Sequence, residues 1–414
     1  MSLRNILMKD KKKREKIYFP TGATLLDLNA GGGKGMGLVS GSFINIIGDS
    51  GGGKSLVCTE IEAACHYHFG SKLLKRMDDS ENGNTFDTED LYGYERTEEE
   101  SLKSDTTQEF DANLGIFLDE IEEDQVGLYI MDSLDGLASN EKMKNAQRRQ
   151  ALLKKGEEIV DEGSYGTEKA KFLSQDLLPC RVSQVEKKDA LVVVVSQTRE
   201  PINGTMFTKK VRNGGKALKF YCHQEWWVST IRKLMKNGRQ YGAIVMVKTG
   251  KQRSGRPGRS VFLTLLFDHG VDNIGSNLDF LFDLRSEKDG SILSCAEKIL
   301  WDVGASEGKV LPWTSSNVKN FLKENDLVKA VQAAREKAEG KPNISMNFTK
   351  EWLQEDKKRK ELYQKVFGRS ETKEELLKRI EEDPKMEKEL EKRVIDKWEA
   401  LEASILSGRK RKYS

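Results

Sequence analysis

The stretch FINIIGDSGGGKS, residues 43–55, decides the fold that this sequence predicts. Its first five residues form an apolar β-prone run, and the residues from Ser55 to about Phe69 have a helical pattern. Between them, Gly48-Asp49-Ser50-Gly51-Gly52-Gly53-Lys54-Ser55 satisfies G-x-x-x-x-G-K-[ST], the pattern of a phosphate-binding loop. A strand, a glycine-rich loop and a helix in this order let backbone N–H groups and the helix N-terminus converge on phosphate oxygens. These eight residues are therefore predicted to bind a nucleotide.

The residue types of the loop also predict how ATP and Mg²⁺ are held. Lys54 is expected to contact the β and γ phosphates, and Ser55 is expected to give its hydroxyl to Mg²⁺. A second metal ligand is predicted at Asp132, which follows the apolar run Gly127 to Met131 where a strand-end carboxylate is needed.

The pattern around the loop predicts an α/β fold. Apolar β-prone runs recur along the chain, and several are continuous, which is typical of strands buried on both faces. These runs are Phe43 to Ile47, Gly127 to Met131, Leu191 to Val195, Trp226 to Val228, Ile244 to Val247 and Val261 to Phe267. Helical patterns lie between them, and one places Phe110, Leu114, Phe117, Leu118 and Ile121 on a single face. Strands that alternate with helices indicate a mostly parallel, doubly wound sheet.

Composition excludes some classes of protein and divides the chain into regions. With 69 basic and 66 acidic residues, the net charge of +3 predicts no anionic partner by itself. No stretch approaches the roughly 20 apolar residues of a membrane span, and no secretory signal is recognisable, so we expect a cytoplasmic protein with no membrane partner. The predicted regions are a basic N-terminal arm (1–20), an α/β core (21–285) with a charged insertion (140–162), a small C-terminal domain (286–350) and a charged helical tail (351–414).

Two further polar residues are predicted to act on the nucleotide. Residues Thr85 to Asp90 predict a strand end that delivers carboxylates to the nucleotide edge of the sheet, with Glu89 as the base that activates water. Gln197 closely follows the run Leu191 to Val195 and fits the role of a γ-phosphate sensor.

The segment from Thr198 to Gly215 predicts nucleic-acid binding. Basic side chains neutralise phosphates, and an aromatic or Met side chain can wedge between bases. The segment holds both types among Gly and Asn residues: Arg199, Lys209, Lys210 and Arg212 are basic, and Met206 and Phe207 are apolar.

In their order along the chain, these motifs resemble those of the RecA family of DNA strand-exchange recombinases. The series begins with Thr21-Gly-Ala-Thr-Leu-Leu-Asp27 and the phosphate loop, and continues through Phe86-Asp-Thr-Glu89, Ile130-Met-Asp132-Ser133 and Ser196-Gln197-Thr-Arg199. The most specific string is Gly214-Gly215-Lys216-Ala217-Leu218-Lys219-Phe220-Tyr221, which resembles the family's signature just after its second DNA-binding loop. The resemblance covers about residues 20–285 and implies a RecA-like P-loop ATPase core with a helical C-terminal appendage.

The resemblance also implies roles for individual residues. Glu89 resembles the family's catalytic glutamate, Gln197 its γ-phosphate sensor coupled to DNA, and Arg199 to Lys216 its DNA-binding loop, which includes Gly214 and Gly215. Lys251 and Arg253 resemble a basic element that reaches the neighbouring subunit's ATP across a filament interface, and an alignment on Lys248 stays open. An adenine-contacting tyrosine is implied at Tyr92 or Tyr94, and the spacing does not choose between them.

The function implied is that of an ATP-dependent DNA recombinase. Such a protein binds single-stranded DNA as a helical filament of its own copies, pairs it with homologous double-stranded DNA, and hydrolyses ATP with stimulation by DNA. The short N-terminal arm, the insertion at 140–162 and the mixed-charge tail depart from the family's pattern. Two alternatives therefore stay open: a ring helicase or other motor on the same fold, and a mediator that binds ATP and DNA without exchanging strands.

Overall fold

The computed structural model describes residues 16–31, 37–81, 83, 86–139, 143–145, 148–150, 154, 167–199, 211–212, 215–236, 238–282 and 360–406. The chain divides into two compact units. The first unit takes the described residues within 1–231 and 245–271, and the second takes those within 232–244 and 272–414. The predicted domain at 286–350 lies outside the described residues, so the predicted region boundaries stay predictions.

The first unit is built on a mostly parallel sheet, as predicted. The strands of the chain are β1 (Tyr18–Phe19), β2 (Leu38–Val39), β3 (Ser42–Gly48), β4 (Leu73–Asp79), β5 (Ser101–Leu102), β6 (Val126–Asp132), β7 (Leu191–Arg199), β8 (Val211–Arg212), β9 (Gln224–Lys236), β10 (Arg239–Gln252), β11 (Ser260–Leu266) and β12 (Gly270–Asp272). Nine of them form a sheet in the order β12-β11-β10-β9-β3-β7-β6-β4-β5, and β8 pairs with β7. The run from β9 to β5 is parallel throughout. The short strands β1 and β2 form a separate antiparallel pair.

Helices connect the strands and also make up most of the described part of the second unit. They are α1 (Thr24–Gly31), α2 (Lys54–Phe69), α3 (Thr88–Tyr92), α4 (Thr107–Glu120), α5 (Thr167–Phe172), α6 (Leu178–Lys187), α7 (Gly215–Tyr221), α8 (Asn273–Leu281), α9 (Lys373–Glu381) and α10 (Pro384–Ser404). A π-helical turn, Leu173–Leu177, joins α5 to α6. Helix α4 begins with a capping box in which Thr106 and Glu109 each bond the other's backbone N–H.

The core lies on both faces of the central strands, because their apolar runs are continuous and successive side chains point to opposite faces. One face of β3, β6 and β7 presents Phe43, Tyr129 and Val192 to a buried cluster that includes Phe110 and Leu114 of α4. The other face is covered by α2, which contacts β3, β6 and β7. The predicted apolar face of α4 is confirmed, because all five of its named residues are buried.

Six of the described strands were not predicted, and one predicted strand end is wrong. Five of the six are only two or three residues long, and the longest is β4, which lies between β5 and β6 and carries Lys75 and Arg76 in its middle. Of the strand end predicted at Thr85 to Asp90, the structure describes residues 86–90. Helix α3 begins there at Thr88, because the Asp87 carboxylate accepts the backbone N–H groups of Glu89 (2.9 Å) and Asp90 (3.1 Å).

The second unit contains helices, as predicted for the tail. Helices α8, α9 and α10 pack on one another, and residues 360–367 form a further helical segment. Asp279 of α8 pairs with Lys373 of α9 at 2.7 Å. Trp398 of α10 packs against Phe280 of α8 with 6.0 Å between ring centroids.

Candidate active site

The phosphate loop has the geometry that the motif requires. Strand β3 ends at Gly48 and helix α2 begins at Lys54, so the intervening loop lies at the carboxyl edge of the sheet. Gly51 and Gly53 have φ values of 69° and 88°, in the left-handed region that favours glycine. A Cβ at Gly53 would lie 2.5 Å from the Leu265 side chain, whereas nothing lies within 4 Å of a Cβ position at Gly51. The loop is thus closely packed at its base and open at Gly51.

Lys54 is buried at the start of α2 and faces the loop. Its Nζ donates to the backbone oxygen of Asp49 at 2.6 Å, and only 7% of the residue is exposed. Burial lowers the pKa of Lys54, and the nearby negative charges of Asp132, Glu81 and Asp135 oppose this shift. A buried ammonium group that bonds a backbone oxygen can transfer its hydrogen bonds to an incoming phosphate.

Ser55 and Asp132 lie together, as expected for two ligands of one metal ion. Burial raises the pKa of Asp132, while a hydrogen bond from Ser55 and the charge of Lys54 lower it, and Asp79 and Glu81 raise it further. A hydroxyl and a carboxylate among further acids form a hard-oxygen environment that suits Mg²⁺. These residues therefore fit the metal that the loop predicts.

Glu81 is the acid that the sequence analysis missed. It follows β4 by two residues and accepts a hydrogen bond from Gln197 Nε2 at 3.0 Å. The Ser133 hydroxyl also donates to its carboxylate. Since Ser133 follows Asp132 and Gln197 lies on β7, three strand ends meet at this carboxylate. The acid-rich run Asp78-Asp79-Ser80-Glu81 ahead of Gly83 is the sequence signal that could have located it.

Glu89 lies at a different place in the fold. It is an exposed residue in the first turn of α3, and its backbone N–H is bound by Asp87. The strand end that was expected to carry it to the nucleotide is absent from the described part of this segment. The structure brings Glu81, and not Glu89, into contact with Gln197.

The end of β7 connects the phosphate loop with the predicted DNA segment. The Gln197 backbone N–H donates to Asp135 at 2.6 Å, and the Thr198 hydroxyl donates to the Asp49 carboxylate. The backbone of Arg199 pairs with that of Val211 in the antiparallel β7–β8 pair. Other predicted DNA-binding positions lie outside the described residues, namely Met206, Phe207, Lys209, Lys210 and Gly214, as do the side chains of Arg199, Arg212 and Lys216. Gly215 begins helix α7.

Lys251 and Arg253 contact the end of helix α7. Lys251 Nζ donates to the backbone oxygens of Lys219 and Phe220, the latter at 2.8 Å. Arg253 Nη2 donates to Phe220 O at 2.7 Å. Within this single chain, both cations therefore stabilise the carbonyl end of α7, where positive charge is favourable.

The two tyrosines considered for adenine contact both pack against α2. The Tyr92 hydroxyl donates to Glu60 at 2.9 Å. The Tyr94 ring stacks on His66 with centroids 4.4 Å apart. These contacts do not choose between the two residues.

Comparison with known proteins finds similarity to RecA proteins over part of the chain. A family model described as the RecA N-terminal domain matches residues 108–272. The RecA protein of Mycoplasma mycoides subsp. mycoides SC is 26% identical over 156 residues, which cover 37% of this chain and 44% of that protein. The RecA of Clostridioides difficile is 29% identical over 178 residues, which cover 42% of this chain and 47% of that protein. The RecA of Amycolatopsis mediterranei is 25% identical over 310 residues, which cover 74% of this chain and 78% of that protein.

The extent of these matches is limited. The chain spans less than half of the length of the first curated RecA proteins that it matches. A crystal structure of the RadB recombinase is similar with a TM-score of 0.40 and 17% identity, covering 61% of this chain and 98% of that chain. Among the described helices, none combines the length with the apolarity that a membrane span needs. The family model and the RecA relatives confirm the resemblance that the motifs predicted.

Proposed function

We propose that this chain is an ATP-dependent DNA recombinase whose ATP hydrolysis is stimulated by DNA, because residues 108–272 match the RecA N-terminal domain and the chain is similar to RecA proteins. The observation that carries the proposal is the meeting of Glu81, Gln197 and Ser133 beside the phosphate loop. An acid that could activate water there touches an amide on the strand that continues toward the predicted DNA segment. In this proposal, the hydrogen bond between Gln197 and Glu81 would link ATP hydrolysis to DNA binding.

The loop residues supply nucleotide binding. The backbone N–H groups of residues 48–55 and the N-terminus of α2 would hold the phosphates, and Lys54 would exchange its bond to Asp49 O for one to a phosphate oxygen. Ser55 and Asp132 would hold Mg²⁺, which when bound neutralises charge on the phosphates.

Glu81 is the residue we assign to activating water, in place of Glu89. Its carboxylate would accept the proton of a water in line with the γ phosphate. Gln197, which donates to this carboxylate at 3.0 Å, would exchange that bond for one to the γ phosphate. The same exchange would shift the end of β7 and thereby link the nucleotide to DNA binding by residues 199–216.

Lys251 and Arg253 are the residues that we assign to contact between neighbouring copies of the chain. In a homo-oligomer, whether a helical filament or a ring, these cations would leave the carbonyl end of α7 and approach the ATP of a neighbouring copy. A positive charge that arrives only on stacking stabilises the transition state only in the assembled state. Single-stranded DNA held along a filament and its homologous duplex are the proposed partners.

The test is ATP hydrolysis with and without single-stranded DNA, for the wild type, Lys54→Ala, Glu81→Gln and the matched variant Glu89→Gln. We expect strong stimulation by DNA in the wild type, and loss of hydrolysis by about 100-fold or more in Glu81→Gln, because a positioned base contributes about that much. Glu89→Gln should stay within about twofold of the wild type. Equal losses in the two glutamate variants would contradict the assignment of Glu81.

The same preparations separate the recombinase from its alternatives. A recombinase should form filaments on single-stranded DNA in electron micrographs and exchange strands with a homologous duplex. Rings with DNA unwinding would favour the motor. Binding of ATP and DNA without filaments or strand exchange would favour the mediator.

A further inference from the structure

The Glu81 carboxylate is held by hydrogen bonds from outside its own strand. Glu81 is exposed and lies two residues beyond the end of β4, so the strand pairing alone does not fix its side chain. Its carboxylate accepts hydrogen bonds from the Ser133 hydroxyl and from Gln197 Nε2, the latter at 3.0 Å. The position of the carboxylate therefore depends in part on what holds Ser133.

Ser80 is the residue that holds Ser133. Strands β4 and β6 are parallel neighbours, and their pairing ends with Asp79 opposite Asp132. One residue further along, the Ser80 N–H donates to the backbone oxygen of Asp132 at 3.0 Å. The Ser80 hydroxyl donates to the backbone oxygen of Ser133 at 2.5 Å and accepts from the Ser133 N–H at 3.2 Å. These bonds tie the two chain segments together directly before Glu81.

Gly136 closes the turn that follows Ser133. Its N–H donates at 3.2 Å to the Ser133 backbone oxygen, which the Ser80 hydroxyl also bonds. A Cβ at position 136 would overlap Ser80 Oγ and would lie 2.9 Å from Glu81 Cγ, which is shorter than a normal contact between carbon atoms. The φ of Gly136 lies outside the left-handed region, so the lack of space, and not the backbone conformation, is what requires glycine here.

We infer that Ser80 and Gly136 are positioning residues for Glu81. Ser80 ties the end of β4 to Ser133, whose hydroxyl bonds the Glu81 carboxylate. The absence of a side chain at Gly136 leaves the room that Ser80 and Glu81 occupy. A base must be placed within reach of the reacting water, and a displacement of about 1 Å can lower a rate about 100-fold. The inference rests on the proposed function, because it requires Glu81 to be the group that activates water.

The experiment measures single-turnover ATP hydrolysis, with and without single-stranded DNA, in Gly136→Ala and Ser80→Ala. Gly136→Ala should lower the rate about tenfold or more, because its methyl group displaces Ser80 or Glu81. Ser80→Ala should lower the rate about threefold or more, because it removes both side-chain bonds to Ser133. Gly83→Ala is the matched control, because a Cβ at Gly83 would make an ordinary contact with Glu81 Cβ at 3.9 Å. Its rate should stay within about twofold of the wild type.

Combined variants separate the positioning of Glu81 from a general loss of structure. Adding Gly136→Ala to Glu81→Gln should lower the rate by less than about twofold more, because the base is already absent. Adding Gly136→Ala to Ser80→Ala should lower the rate by a smaller factor than in the wild type, because the hydroxyl that the methyl group overlaps is absent. The affinity for a fluorescent ATP analogue should stay within about twofold of the wild type in both single variants, because the phosphate loop binds it.

The outcomes distinguish the inference from the proposed function. Rates within about twofold of the wild type in folded Gly136→Ala and Ser80→Ala would overturn the inference and leave the role of Glu81 intact. Equal losses from Gly136→Ala in the wild type and in Glu81→Gln, or a matching loss of ATP affinity, would show a structural effect and would also overturn the inference. Full hydrolysis in Glu81→Gln would overturn both. If circular dichroism shows that Gly136→Ala does not fold, the rate of Ser80→Ala decides.

Discussion

Two buried lysines, Lys75 in the middle of β4 and Lys54 at the start of α2, have very different partners. Lys75 of β4 bonds the carboxylates of Glu62 at 3.2 Å and Glu100 at 2.9 Å, and it lies 4.5 Å from the centre of the Tyr94 ring. Lys54 of α2 bonds the Asp49 backbone oxygen. Their exposures are 3% and 7%, so burial does not distinguish them.

The difference lies in the partners. Around Lys75, cations and carboxylates meet directly, and Arg96 completes the group with two bonds to Glu62 at 3.0 and 2.6 Å. Around Lys54, burial lowers the pKa of the lysine and raises that of Asp132. Paired buried charges support the fold, whereas charges held in an environment that disfavours them are suited to binding a ligand from outside.

The largest effect should separate the two lysines themselves. Lys75→Met leaves Glu62 and Glu100 short of a cation in the interior and should lower the free energy of unfolding by about 3 kcal/mol. Lys54→Met removes a charge that its surroundings disfavour, so the change in stability should be less than about 1 kcal/mol. Urea unfolding followed by circular dichroism measures both, and equal losses would remove the distinction between the two regions.

A smaller effect should come from the geometry of the Lys75 cluster. Arg96→Lys keeps the charge and cannot reproduce two parallel bonds to Glu62, so we expect a loss of about 1–2 kcal/mol. Arg76→Lys is the matched control, because Arg76 makes its ion pair with Glu120, which is nearly half exposed. If urea unfolding gives the same loss of unfolding free energy for Arg96→Lys and Arg76→Lys, the two parallel bonds to Glu62 are not the cause of the loss.

The smallest effect should be a gain in stability at the phosphate loop. Burial raises the pKa of Asp132, so the folded chain binds this proton more tightly than the unfolded chain, and stability is lost as the pH rises through the raised pKa. Asp132→Asn should therefore be about 0.5–1 kcal/mol more stable than the wild type at pH 7, and bind ATP with Mg²⁺ more weakly.

The pH dependence provides the control for this gain. Below the ordinary pKa range of aspartate the wild-type carboxyl is neutral too, so the advantage of Asp132→Asn should vanish there. Melting temperatures at pH 7 and at about pH 3, which is below the ordinary aspartate pKa, measure the difference. An advantage that is independent of pH would show that charge is not its cause.

The difference between apolar and charged buried strands explains which parts of the fold the sequence could predict. The continuous apolar runs of β3, β6 and β7 mark strands buried by helices on both sides, and the glycine loop between β3 and α2 has its own pattern. Strand β4 was missed because Lys75 and Arg76 interrupt its apolar pattern. The partners that allow Lys75 to be buried, such as Glu62 and Glu100, are distant in sequence.

Missing that strand also displaced the acid that we propose to activate water. Without β4, the next acidic run at Thr85 to Asp90 was interpreted as the strand end, and Glu89 took the role that contacts favour for Glu81. Lys54, Ser55, Asp132 and Gln197 were placed at the same edge by local patterns alone. A site residue that depends on a strand stabilised by long-range ion pairs cannot be located by periodicity.

The pairing of β7 with β8 has a consequence for how such a protein can diverge. It fixes the two ends of residues 200–210 at one point, with Thr198 opposite Arg212. Once the ends of a loop are held together, doubling its length adds only about 0.6 kcal/mol to the entropy cost of closing it. The segment is therefore an exchangeable cassette: evolution or an engineer can replace its sequence while the strand ends and the phosphate loop keep their places.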